Sequence, residues 1–182
     1  MATTKKQPNQ MLKCGILLFI ITAICTAILA FVNNITEPII LEARAEAAAA
    51  ARIAVLPQID GIEFGEIVPT GYSTGVTTIT RAYHNGEYVG SALELNLAGA
   101  SPNIIVMLGV DPNGTVTGVN VLSHAETPGL GDVIERETFR TEFVGGQSGA
   151  LQVDTITGST VSTNAIIAGV DNALAFLETV SD

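Results

Sequence analysis

Twelve residues near the C-terminus, Val153 to Asn164, read "VDTITGSTVSTN", and six of them carry a hydroxyl. Gly158 sits in the middle, and an apolar run follows at once. Ser, Thr and Asp are favoured where a helix starts, because their oxygens accept from backbone N–H groups that the helix leaves unpaired. The plain reading is therefore a helix N-cap. The chemical reading is an anion site. The same donors and the positive end of the helix dipole favour a phosphate, and a threonine hydroxyl there could carry one covalently. Gly158 would remove a Cβ where a bulky group must approach. Spacing alone leaves both readings open.

A second stretch, "SHAETPGLGD" at 123–132, reads as a rigid loop punctuated by Pro128, Gly129 and Gly131. "DTITGST", Asp154 to Thr160, is similar to the Asp-x-x-Ser/Thr-Gly-Ala/Ser-Thr motif of flavoproteins in which FMN is joined to threonine by a phosphoester. The 123–132 stretch resembles that family's Glu-Thr-Pro-Gly-Leu-Gly loop. The two motifs lie 34 residues apart, from Glu126 to Thr160, behind an N-terminal apolar segment. In that order they resemble the G subunits of Rnf-type ion-translocating electron-transport complexes and, more distantly, the C subunits of sodium-pumping NADH:quinone oxidoreductases. The resemblance covers nearly the whole chain.

It implies a cofactor and roles. Thr160 would be the covalent FMN acceptor, Thr157, Gly158 and Ser159 the turn before it, and Val161 the start of the amide cluster beside the phosphate. Asp154 would be needed by the flavin transferase that attaches FMN. Glu126, Thr127, Pro128, Gly129, Leu130 and Gly131 would lie along the isoalloxazine ring. The function implied is electron transfer within a complex that couples ferredoxin and NAD chemistry to sodium or proton transport. Its partners would be the other membrane and peripheral subunits, with no acid or base catalyst on this chain. Two departures stand out: Ser159 replaces the usual alanine, and Val133 replaces a common lysine, which leaves a charge role at that position without support. The alternatives are a stand-alone extracytoplasmic flavin carrier and a surface-anchored module that binds a phosphorylated ligand reversibly.

The elements that must position these residues begin with an anchor. Cys14 to Val32 is a run of nineteen residues without a charge, which as a helix spans about 28 Å, close to the bilayer's hydrocarbon thickness. Lys5, Lys6 and Lys13 precede it; all 18 acidic residues and only five basic ones follow, a net of −13. The positive-inside rule places 1–13 in the cytoplasm, an anchor at 14–33 and everything beyond outside the cell membrane. A cleaved signal fits less well, because the run is long and no A-x-A pair follows. Bulky Ile24 argues against lipidation at Cys25.

A connecting helix is expected over 34–57: Pro38 fits a first turn, an Ala run propagates it and Pro57 stops it. The exported domain, 58–182, is expected to be α+β, with helices packed on a mostly antiparallel sheet. Residues 58–76 read as loop with at most a short strand. Alternation and Asn85-Gly86 give one hairpin, and strands at 103–110 and 115–123 around Asp111-Pro112-Asn113-Gly114 give another. Asp132 is expected to cap a helix running to about Val144, a short strand follows near 151–153, and a last helix covers 160–179.

Composition narrows the function further. Both cysteines lie in the apolar run, so the domain has no disulfide, thiolate or Cys-held cluster. Two histidines forty residues apart are too few for a metal cage, and the acidic balance argues against nucleic acid. No G-x-G-x-x-G follows a strand. His124 reads as either a flavin contact or a structural histidine, His84 as a surface residue, and Arg136 with Arg140 as a solvated helix face. Asp111 reads as a turn residue. The charge asymmetry makes a direct prediction: protease added to intact cells removes the 58–182 domain and leaves an N-terminal stub. Full protection until lysis would contradict the topology.

Overall fold

The computed structural model describes residues 8–57, 59–71 and 75–180, with side chains from Leu12 to Thr179. Lys5 and Lys6, on which the orientation rests, lie outside the described residues, as do parts of the expected 58–76 loop. By internal contacts the chain divides into two units, Met1–Ala45 and Glu46–Asp182.

Helix α1 spans Pro8–Val55. Every described side chain from Leu12 to Ala45 is exposed, large apolar ones such as Phe19 and Leu29 included. The helix is long and apolar enough to cross a membrane. Pro38, expected to open a separate helix, lies inside this one. Its ring removes one N–H and costs about 3 kcal/mol. Apolar residues on one side and the Ala run on the other propagate the helix through it.

In the second unit, five strands form an antiparallel meander in chain order: β1 (Ile62–Pro69), β2 (Val76–His84), β3 (Glu87–Leu97), β4 (Ile104–Val110) and β5 (Val116–Ser123). The two expected hairpins are present. Asn85 and Gly86 have φ of 52° and 83°, the left-handed pair that a two-residue turn needs. In the second, the Asp111 carboxylate accepts from the backbone N–H of Asn113 and Thr115, each at 2.8 Å. The fifth strand, β1, was expected as little more than loop. All its side chains after Ile62 are exposed, so it lacks the alternation that marks a strand buried on one face.

Alternation on the inner strands divides two cores. Leu93, Leu95 and Leu97 of β3 and Ile104, Val106 and Leu108 of β4 pack with Ile166, Val170 and Leu174 of α3 (Thr160–Val180). On the opposite face, Ala92 and Met107 meet Ala48, Ala51 and Val55 from the end of α1. The single helix expected from Asp132 is instead a 3-10 turn, Gly131–Glu135, and a short helix α2, Glu137–Thr141. Arg136 between them is extended, with φ −63° and ψ 135°. One unbroken helix at 100° per residue could not turn Val133, Ile134, Phe139 and Phe143 to the same side. The break lets all four bury, Phe139 and Phe143 edge to face at 5.3 Å. The segment expected as a strand near 151–153 has no regular structure, although Leu151 and Val153 still pack on the core.

This topology brings three segments to one end of the sheet. β3 ends at Leu97, paired with Ile104 where β4 begins, and β5 ends at Ser123, paired with Ile105. The 98–103 loop and the 124–130 loop therefore leave the sheet side by side, and α3 begins beside both. The other face has its own tight fit. Gly109 and Gly118 are cross-strand partners under Val55, whose carbonyl accepts from Thr117 Oγ1 at 2.5 Å. A Cβ on Gly109 would collide with that carbonyl. Gly109→Ala should therefore cost about 1–3 kcal/mol, read as a drop of several degrees in Tm. An unchanged melting curve would show that the end of α1 does not need this contact.

Candidate functional site

At the converging end of the sheet lies a cleft of about 330 Å³, at the small end of ligand-pocket sizes. Glu126, Thr127, Leu130 and Gly131 line one wall, and Gly158, Ser159, Thr160, Val161 and Ser162 line the other, with Ala100 between. Of the residues singled out in the sequence, Pro128, Gly129, Thr157 and Asp154 do not line it. Pro128 and Gly129 shape the turn instead: the Thr127 carbonyl accepts from Leu130 at 3.1 Å and Gly131 at 2.9 Å, and Gly129 has φ 79°. Asp154 is exposed, and its backbone N–H donates to the Glu142 carboxylate at 3.2 Å.

The second wall is the first turn of α3. Ser159 N–H donates to the Ile156 carbonyl at 2.9 Å, and Thr163 N–H to the Ser159 carbonyl at 3.0 Å, which closes the turn and starts the helix. Thr163 Oγ1 donates to the same Ser159 carbonyl at 3.0 Å. Thr160 is exposed at the helix start. Ser159 is buried, and its hydroxyl has no hydrogen-bond partner among the described residues. Gly158, expected for the room it leaves, has another reason to be glycine. Its φ is 89°, a left-handed conformation costly for other residues, while nothing lies within 4 Å of an added Cβ.

What joins the walls is Glu126, 5% exposed. Oε2 accepts from Ser162 Oγ at 2.7 Å, and Oε1 accepts from Ser101 N–H at 2.8 Å. Two glycines leave room for this carboxylate: a Cβ on Gly99 would lie 2.7 Å from Oε1, and one on Gly131 would lie 2.5 Å from Oε2. Ser101, Gly99 and Ser162 were not singled out from the sequence for this task. The one available signal was a lone acidic residue in a Gly- and Pro-rich loop, together with surplus hydroxyls on the helix start.

His124 bonds to neighbouring protein groups. Its Nδ1 accepts from Glu126 N–H at 3.1 Å, and Nε2 lies 3.0 Å from Glu135 Oε1. A neutral ring with its proton on Nε2 satisfies both contacts, and the ring does not line the cleft. Arg136 is exposed, whereas Arg140 is half-buried. Its guanidinium donates to Asn120 Oδ1 at 2.9 Å and to the Glu135 carbonyl at 3.0 Å, tying α2 to β5. Val133 is buried in the core, where a lysine's charge would be costly.

The chain resembles known proteins along most of its length. A family model described as an FMN-binding domain matches residues 99–175, and one described as the RnfG N-terminal region matches residues 1–55. The chain is 31% identical over 190 residues to the G subunit of the ion-translocating oxidoreductase complex of Shewanella piezotolerans, covering 92% of this chain and 90% of that one. It is 28% identical to the protein of the same name in Methanosarcina acetivorans, covering 93% and 95%. The G subunit of the Na(+)-translocating ferredoxin:NAD(+) oxidoreductase complex of Acetobacterium woodii is 26% identical, with 93% and 92% covered. Among solved structures, a crystal structure of Shewanella oneidensis NqrC is matched with a TM-score of 0.48 at 18% identity, over 59% of this chain and 63% of that one.

The Glu126 tie makes a prediction independent of any ligand. Ser162→Ala removes the hydroxyl and leaves one oxygen of a buried carboxylate without a donor, a loss of about 1–3 kcal/mol. Chemical denaturation of the purified protein should report it. A variant as stable as the parent would mean that the two walls are held together by packing alone.

Proposed function

The chain belongs to the family of G subunits of ion-translocating oxidoreductase complexes, and on that premise we propose that it is a membrane-anchored electron carrier whose FMN is bonded to Thr160 through a phosphoester. One observation carries the choice of residue. Thr160 opens α3 inside the cleft whose opposite wall is the 126–131 loop, so the two motifs meet in space.

The residues present fit such a group. Thr160 offers an exposed hydroxyl, and the amides that open α3 ahead of Thr163, whose own N–H is taken by the Ser159 carbonyl, lie at the positive end of the helix dipole, which favours a phosphate's charge. The buried Ser159 hydroxyl lacks a partner among the described residues, and a phosphate oxygen could supply one. Leu130 and Val161, 54% and 62% exposed on opposite walls, give apolar surface for a planar ring to cover. Bound FMN supplies electron transfer one electron at a time. The chain contributes the bond, the donors and the shielding walls.

Attachment is the work of a separate flavin transferase acting after export, with FAD as donor and AMP as leaving group. Thr160 supplies the oxygen and gives up its proton. Asp154, exposed and outside the cleft, suits recognition by that enzyme better than contact with the ring. With the domain outside the cytoplasm, a covalent bond keeps a cofactor that could not be replaced. By analogy with the named relatives, electrons pass between this protein and the membrane and peripheral subunits of a ferredoxin:NAD oxidoreductase.

Flavin fluorescence of the denatured polypeptide, after expression with the transferase, tests this. The parent protein should fluoresce in a denaturing gel, Thr160→Ala should be dark, and Thr160→Ser should keep part of the signal because the oxygen remains. Undiminished fluorescence in Thr160→Ala would assign the bond to another hydroxyl.

A further inference from the structure

Among the described residues, Glu126 is the one ionisable side chain that lines the cleft. Its carboxylate is buried, each oxygen accepts one hydrogen bond, and both donors, Ser101 N–H and Ser162 Oγ, are neutral. Among the described residues no basic side chain pairs with it; the carboxylate paired in this region is Glu135, with His124. The charge is moderated by those two donors and by the N-terminal end of α3, where Ser162 is the third residue. A tie between loop and helix does not need a charge, since an amide could bond both partners, and a buried unpaired carboxylate is costly to keep. The space that Gly99 and Gly131 leave around both oxygens is specific to this position.

We infer that the Glu126 carboxylate is a fixed negative charge that lowers the midpoint potential of the flavin held in this cleft. The inference rests on the cleft being the flavin site. Each electron taken up from a reductant adds negative charge to the ring until a proton follows from solvent. A like charge beside the ring opposes that gain, and more strongly from a carboxylate that is itself buried than from one in bulk water. Glu126 bonds Ser101 and Ser162 rather than Thr160. Its effect is on the energy of the reduced form, and through that on which partners can reduce this protein and which it can reduce.

Glu126→Gln separates charge from structure, because Gln keeps an acceptor for Ser101 N–H and an amide that can donate to Ser162 Oγ. Spectroelectrochemical titration of the full-length, flavin-loaded protein should give a midpoint potential more positive in Glu126→Gln than in the parent. Ser162→Ala keeps the charge and breaks the tie, so its potential should not rise with it. An unchanged potential in flavin-loaded Glu126→Gln, or an equal rise in Ser162→Ala, would overturn the inference. Should Glu126→Gln fail to load flavin, infrared difference spectra of the parent decide. Reduction should shift a carboxylate stretching band, and a spectrum without any carboxylate band would count against Glu126. Parent protein without flavin would remove the reading of the cleft itself, whereas an unmoved potential removes only this inference.

Discussion

The hydrogen bonds from Ser162 Oγ and Ser101 N–H to the Glu126 carboxylate join three segments that have little else in common. One is the loop between β3 and β4, one the loop after β5, and one the first turn of α3. Each leaves an ordered element at the same end of the sheet, and each would have freedom to drift apart at its tip. A buried carboxylate with two donors removes that freedom, because leaving either oxygen unpaired costs more than the bond gains. The cleft exists because these walls are held at a fixed separation.

The sheet and its two cores make that arrangement possible. Leucines on β3 and branched residues on β4 fix α3 along one face, which sets where its N-terminus falls. On the opposite face the alanines of α1 lie against Ala92 and Met107, and paired glycines admit Val55. Small residues on that side allow close helix–sheet contact, and large ones on the other fill the space beneath α3. The break at Arg136 completes the core with Phe139 and Phe143, while Arg140 staples α2 to β5 beside the cleft's loop. A site of this kind depends on rigid elements behind its loops.

Much of this was legible in the sequence, for identifiable reasons. Asn85-Gly86 determines the first hairpin, because only left-handed residues close so short a turn, and the spacing of Leu93, Leu95 and Leu97 sets the register that buries them. The last helix was legible from its 3.6-residue spacing. β1 was not, since exposure of every side chain after Ile62 erases its pattern. The break at Arg136 was not, because it answers to burial of four side chains rather than to any local preference. At the site, the two motifs were legible as stretches. Their meeting through Ser101, Gly99 and Ser162 was not. A hydroxyl or a glycine in a loop carries no sign of the carboxylate it will face, here 25 residues from Ser101 and 36 from Ser162.

Peptide mass spectrometry reads the bond at the Thr160 hydroxyl itself. No lysine or arginine follows Arg140, so trypsin releases the entire C-terminal segment as one peptide that contains Thr160 and its rivals Thr157, Ser159, Ser162 and Thr163. In protein produced with the flavin transferase, fragmentation of that peptide should place a single FMN phosphoester on Thr160. An FMN on any other residue would rule out Thr160 as the acceptor, and an unmodified peptide from protein whose transferase is demonstrably active would rule out the covalent flavin.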